Sequence, residues 1–131
     1  MELQMDADER RLNEITEKII GCAYRVSNEL GCGFLEKVYE NALTVEFRST
    51  GIAYVQQPVY HVRHRGEIVG EYQPDLVVED RLIVEVKALN SLNQVHHAQC
   101  INYLRVTGIK LALLVNFGLP RVQLKRVVMK L

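Results

Sequence analysis

Pro74-Asp75-Leu76-Val77-Val78-Glu79-Asp80-Arg81-Leu82-Ile83-Val84-Glu85-Val86-Lys87 is the stretch on which the fold turns. Two aliphatic runs flank a polar triplet, Glu79-Asp80-Arg81, which is the pattern of two strands joined by a tight turn. In a strand, residues two apart share a face, so Ile83, Glu85 and Lys87 point one way and Leu82, Val84 and Val86 the other. A three-residue turn pairs Asp75 with Glu85, their β-carbons ~5 Å apart; a two-residue turn shifts the pairing by one. Two carboxylates that close repel, and one takes up a proton unless a cation sits between them. Lys87 supplies part of that compensation. A divalent metal would supply more, and hard oxygen ligands suit magnesium or manganese. The competing reading is a surface ion pair between Glu85 and Lys87, which is worth little. The apolar character of the strand weighs against it.

Upstream, Leu12, Ile15, Ile19, Cys22, Val26 and Leu30 recur at helical spacing with Arg11, Glu14, Lys18 and Arg25 on the other face, predicting a helix over 8–30. Gly31-Cys32-Gly33 ends it. A second helix over 34–49, with the stripe Leu35, Val38, Tyr39, Ala42 and Phe47, stops at Gly51. The period then changes, and 59–64 and 67–72 read as strands about Arg65-Gly66. Downstream, a helix over 93–107 closes at Gly108, Leu111 to Val115 reads as a strand buried on both faces, and 122–129 is a last strand near an edge. The order ααββββαββ describes an α/β chain with a mixed central β-sheet flanked by α-helices. No GxGxxG follows a strand, so a dinucleotide-binding fold has no support, and GxSxG, GKS/T and HExxH are missing as well.

A chain of 131 residues without repeat, linker or low-complexity segment is expected to form a single domain over 1–131. Hydrophobic residues at 48% and charged ones at 24% exclude disordered, collagenous and coiled-coil classes. The longest apolar run, Leu111 to Val115, is far short of the ~20 residues of a membrane span. The acidic start (Glu2, Asp6, Asp8, Glu9) is unlike a secretory leader, and Cys22, Cys32 and Cys100 form no CxxC pair, so a cytoplasmic location is expected. Sixteen basic against sixteen acidic residues leave no net field to attract nucleic acid. The distribution is uneven: from Val86 onward there are Lys87, Arg105, Lys110, Arg121, Lys125, Arg126 and Lys130, and no acid. That segment reads either as a phosphate-facing surface or as a solvated rim guarding an edge strand.

Asp75, followed after nine residues by Glu85-Val86-Lys87, resembles the PD-(D/E)xK signature of the restriction-endonuclease-like nuclease superfamily. Gly33-Phe34-Leu35-Glu36-Lys37-Val38-Tyr39 matches the GxxExxY pattern that names a small family within it. Ala98-Gln99-Cys100-Ile101-Asn102-Tyr103-Leu104 and the Leu-Leu-Val-Asn-Phe-Gly run ending at Gly118 are similar to that family too, and the resemblance extends over 15–128. It implies a restriction-endonuclease-like core and a phosphodiesterase that depends on Mg2+ or Mn2+, with nucleic acid as substrate. In the roles it implies, Asp75 and Glu85 ligate the metal with the carbonyl of Val86 as a third oxygen. Lys87 orients or helps deprotonate the attacking water and balances charge developing on the phosphate. One of Glu36 and Glu40, four apart on one helical face, adds a carboxylate; otherwise both lie on an exposed face beside lysine. Gln99 and Tyr103 resemble a Gln-x-x-x-Tyr element that borders the site in exonuclease-like branches; the other reading is a half-buried face with satisfied polar tips.

Tyr39 is expected to pack beneath the site. His96 and His97 diverge by about 100° on a helix, and His61 and His64 sit on a hairpin at a spacing that puts them on opposite faces, so none of the four reads as a metal ligand. Two functions are therefore in play: a metal-dependent nuclease, and a non-catalytic nucleic-acid-binding or assembly subunit that keeps the fold. A homodimer of the nuclease would pair two cuts across a duplex, though the sequence fixes no stoichiometry.

Overall fold

The computed structural model of the chain describes residues 6–129, so Glu2 and Lys130 lie outside the described residues. Asp6 caps the first helix, α1 (Ala7–Leu30), by accepting a hydrogen bond from the Glu9 N–H at 2.8 Å. Gly31, at φ 67°, ends it by donating its N–H to Ser27 at 2.9 Å. Phe34 and Leu35, expected inside the second helix, precede it: α2 runs Glu36–Thr50 with Leu35 as its extended N-cap residue. Seven strands and one further helix follow: β1 (Tyr54–Gln56), β2 (Tyr60–His64), β3 (Glu67–Tyr72), β4 (Leu76–Val78), β5 (Leu82–Lys87), α3 (Gln94–Thr107), β6 (Leu111–Asn116) and β7 (Gln123–Val128).

The central sheet has the order β1-β4-β5-β6-β7. Only β5 and β6 pair in parallel; the other neighbours are antiparallel. A parallel pair needs a long crossover, and α3 supplies it. Strand alternation then divides the core. Leu76, Val78, Leu82, Val84, Val86, Leu113 and Val115 face α1 and α2, meeting Ile15, Ile19, Tyr39, Leu43 and Phe47. Val77, Ile83, Ala112 and Leu114 face α3, meeting Cys100, Tyr103 and Leu104. β6 is buried at every position, which is why its sequence shows no alternation.

Two features depart from expectation. β1 was not foreseen, so the order is ααβββββαββ; a three-residue strand is too short to show a period, and it forms because Tyr54 and Gln56 pair with Val78 and Leu76 along β4. The hairpin β2–β3 is a separate two-stranded sheet with a register shift between Val62 and Arg63, resting on the α3 layer through Tyr60 and Tyr72. The turn between β4 and β5 holds three residues, since Val78 pairs with Leu82. Glu79 and Asp80 adopt φ of 50° and 56° to close it.

Candidate active site

The β4–β5 ladder runs from Val78↔Leu82 to Leu76↔Val84, which puts Asp75 opposite Glu85 at the next step. There the backbone bonds give way to side chains. The Asp75 N–H donates to Glu85 Oε1 at 2.8 Å, and the Val86 N–H donates to Asp75 Oδ2 at 2.7 Å. Asp75, Glu85 and Lys87 continue the face of Val77 and Ile83, the one that α3 covers. Glu85 is only 2% exposed on a central strand. Burial first, then the neighbouring Asp75 charge, pushes its carboxyl up to about 8. Burial likewise lifts Asp75 to about 6, with Glu40 and Glu36 adding repulsion while the bonds from Val86 and Gln57 oppose it. Lys87 is half-buried and makes no ion pair among the described residues, so a surface Glu85–Lys87 bridge does not form.

The two glutamates of α2 are placed differently. Glu40 is 2% exposed and Glu36 lies at the exposed start of the helix. Burial works to raise the Glu40 pKa, yet donors from Gln56 (2.6 Å), Gln57 (3.0 Å) and Lys37 (3.0 Å) outweigh it and hold the group below its usual value. Gln57 is the link that sequence reasoning missed. Its Nε2 donates both to Glu40 and to Asp75 Oδ1, the latter at 3.1 Å, and its own N–H donates to the Asp75 carbonyl at 2.8 Å. It does so at φ 55°, a left-handed conformation that a non-glycine residue adopts only when its surroundings impose it. The pair Gln56-Gln57 before Pro58 carries no pattern that would have marked it.

From the other side α3 brings Gln99 and Tyr103, whose amide and phenol are bonded at 3.3 Å. Burial, and then the charges of Glu85 and Asp75, push the Tyr103 phenol up to about 12 and the Cys100 thiol to about 12. Tyr39 is fully buried: it stacks on Phe117 at 4.7 Å and donates its hydroxyl to the Gly31 carbonyl at 2.6 Å. His96 caps α3, its Nδ1 accepting from the Asn93 N–H at 3.1 Å. The expected basic surface is not one surface. Lys125 and Arg126 are exposed neighbours on opposite faces of the edge strand β7, and Lys110 lies at the far end of the sheet. There it lines a concavity of ≈ 680 Å³ together with Asp6, Asp8, Glu79 and Asp80, a lining of the wrong sign for phosphate.

The groups able to hold a metal ion are few. Among the described residues no three His, Cys, Asp or Glu side chains form a ready-made cluster. The donor set is instead two carboxylates and a peptide oxygen. Glu85 Oε2 receives no donor among the described residues and, since none of their wholly buried side-chain polar atoms is left unpaired, it is not completely enclosed. Lys87 accepts at its carbonyl from Phe117 on the β6 side at 2.8 Å, so alternation directs the Val86 carbonyl to the β4 side, where its N–H already meets Asp75. Two carboxyls whose ionised forms are disfavoured by burial and mutual repulsion, with a carbonyl on the same side, are oxygen ligands short of positive charge, which fits a hard divalent cation.

A mixed sheet with two helices on one face, one on the other and an acidic pair with a lysine at the parting of two central strands defines a restriction-endonuclease-like fold. The model of the PD-(D/E)XK nuclease superfamily matches residues 13–127, and the chain belongs to that superfamily. No curated protein matches it. Among solved structures it is similar to an alkaline exonuclease from Laribacter hongkongensis, at 13% identity over 88% of this chain and 82% of that one, with a TM-score of 0.49. That likeness is too slight to bear on the reaction.

Proposed function

We propose that this chain is a single nuclease domain over 1–131 that hydrolyses phosphodiester bonds in nucleic acid with Mg2+ or Mn2+ bound between Asp75 and Glu85. The observation that carries the reading is the convergence of Asp75, Glu85 and Lys87 on one sheet face where β4 and β5 part. Asp75, Glu85 and the Val86 carbonyl hold the metal. When bound, it supplies Lewis-acid polarisation of the phosphate and lowers the pKa of a water. Lys87, unpaired and two residues beyond Glu85, donates to the attacking water or to the phosphate oxygen on which charge develops. Glu40 keeps its charge and, through Gln57, fixes the rotamer of Asp75. Gln99 and Tyr103 border the site from α3 and hydrogen-bond the phosphate or a water beside it.

The intact acid-acid-lysine set favours an enzyme over a binding subunit, because a site freed from catalysis has no reason to keep two repelling carboxylates buried. Its three cysteines are free, as suits the cytoplasm. No helix of the described residues is long and apolar enough to cross a membrane. A homodimer would let two such sites cut both strands of a duplex. The test is cleavage of mixed DNA and RNA substrates with Mg2+, comparing native protein with Asp75→Asn and Glu85→Gln. Activity in the native protein that both substitutions abolish supports the reading; equal activity in all three overturns it.

A further inference from the structure

A groove of ≈ 310 Å³ runs between the β2–β3 hairpin and α3, lined by Tyr72, Val95, Ala98, Gln99, Asn102 and Tyr103. Its volume lies at the small end of ligand pockets, ~300–1,000 Å³. Two kinds of surface meet in it. The apolar part is Ala98, the 72%-exposed Val95 and two rings, Tyr72 and Tyr103, whose centroids stand 5.2 Å apart at 81°. The polar part is a pair of side-chain amides one helical step apart. Gln99 commits one N–H to the Tyr103 hydroxyl at 3.3 Å and keeps its carbonyl and second N–H. The Asn102 amide makes no hydrogen bond with any described residue, so both its donors and its acceptor are free.

No cationic side chain lines this groove, so a phosphate beside Gln99 and Tyr103 at the site end does not account for the rest of it. A planar heterocycle does: its faces match aromatic and aliphatic walls, and its edge, carrying donors and acceptors, matches the amides. The groove borders the site already described, because Gln99 and Tyr103 line it from α3, the helix that covers the sheet face carrying Asp75, Glu85 and Lys87. We propose that this groove is a nucleobase subsite taking one unpaired base of the strand being cut, which makes the substrate single-stranded or locally unpaired nucleic acid. A base within a duplex has its faces in the stack and its edge in the pair, and cannot enter until it is extruded. The inference rests on the nuclease reading for the position of the phosphate.

The test separates the two readings. Binding of an end-labelled single-stranded hexathymidylate is followed by fluorescence anisotropy on native protein in excess EDTA, so that no cleavage intervenes. One abasic unit is then moved through the six positions. The expected result is a loss of about tenfold in affinity at one position and less than twofold elsewhere, the size of a single lost base contact. Asn102→Ala and Tyr72→Leu, checked by circular dichroism, remove that position dependence; Asn102 is a partly exposed helix residue and its truncation leaves the core untouched. Equal affinity at all six positions, no binding of the hexamer, a duplex bound as tightly as the single strand, or a position dependence that survives in Asn102→Ala overturns the proposal. Hydrolysis of bis(p-nitrophenyl) phosphate by the native protein with Mg2+ is measured in parallel. Its absence would remove the nuclease reading while leaving the base-dependent binding to be judged by itself.

Discussion

Asp75 and Glu85 are tied across two strands by hydrogen bonds that each side chain accepts from the opposite backbone: Asp75 N–H to Glu85 Oε1 at 2.8 Å, and Val86 N–H, next to Glu85, to Asp75 Oδ2 at 2.7 Å. The two acids thereby replace the last rung of the ladder. Their rotamers are set before any ligand arrives, so little ordering remains when one binds.

This arrangement makes stability depend on pH in the metal-free protein. Both carboxyls titrate higher when folded, Asp75 at about 6 and Glu85 at about 8, than the usual values near 4. Between those limits these two groups bind more protons in the native state than in the unfolded chain. The stability they contribute is therefore fully present below about pH 4 and is lost as pH rises toward 8, while Glu40, held below its usual value, acts in the opposite sense on acidification. In EDTA the melting temperature should drop across that window by several degrees, at roughly 4 °C per kcal/mol for a domain of this size. Mg2+ should restore more at pH 8 than at pH 6. Differential scanning calorimetry at the two pH values checks both; a melting temperature that rises from pH 5 to 8 in EDTA contradicts the assignment.

Lys87→Met should separate catalysis from binding. Lys87 makes no ion pair among the described residues, so its loss leaves the melting temperature within about 2 °C and metal affinity, measured by calorimetry, equal or tighter. The rate of phosphodiester cleavage should fall by about 10²-fold or more, the range for losing one group that stabilises a transition-state charge. A variant that cleaves at the native rate removes Lys87 from the mechanism.

Gln57→Ala leaves the Glu40 and Asp75 carboxylates facing one another without the amide that both accept from. The cost should be about 1–3 kcal/mol, the scale for buried acceptors deprived of a donor. It should be larger at pH 8 than at pH 5, because Asp75 loses its proton through about 6 while Glu40 is already ionised. Urea unfolding at the two pH values reads the difference, and a cost independent of pH would show that Gln57 acts on the backbone alone.

Asn116 and Gly118 should prove intolerant although neither touches the carboxylates. Asn116, fully buried, bonds the Leu89 N–H at 2.9 Å, the Leu89 carbonyl at 3.0 Å and the Gly118 N–H at 3.1 Å. A β-carbon on Gly118 would stand 2.2 Å from the Leu89 carbonyl oxygen, so Gly118→Ala forces the chain that leaves β5 to move. Each of Asn116→Ala and Gly118→Ala should lower stability by about 1–3 kcal/mol in urea titrations. The cleavage rate should fall as well, since the displaced segment begins two residues after Lys87.

What the sequence could reveal followed the range of each signal. Alternation over Leu82 to Lys87 is local, and of the two turn lengths it leaves open the three-residue one, Glu79 to Arg81, gives the Asp75–Glu85 register that the structure has. The choice between Glu36 and Glu40 was closed to sequence reasoning for a specific reason. Both lie on one helical stripe, and what separates them is Gln56 and Gln57 at the end of β1, a strand too short to announce itself. The basic run from Lys87 onward leaves two readings open because nearness along the chain is not nearness in space: β6 carries Lys110 and Asn116 to opposite ends of the sheet, and Lys125 and Arg126 lie exposed on the edge strand. The sequence marks His96 only as a non-ligand; its part in capping α3, with Nδ1 accepting from the Asn93 N–H, emerges with the structure.

The hairpin stands outside this logic. β1 and β4 are already paired neighbours, and the loop that carries β2 and β3 leaves and rejoins the sheet at a neck closed by Gln57 N–H to the Asp75 carbonyl and Gln73 Nε2 to the Gln57 carbonyl, both at 2.8 Å. A change of length distal to that clasp leaves the register of the acids unchanged, provided the hairpin still sets Tyr60 and Tyr72 against the α3 layer. The architecture thus sets the register of the acids within the five-stranded sheet and leaves the hairpin wall of the groove to be varied from one junction.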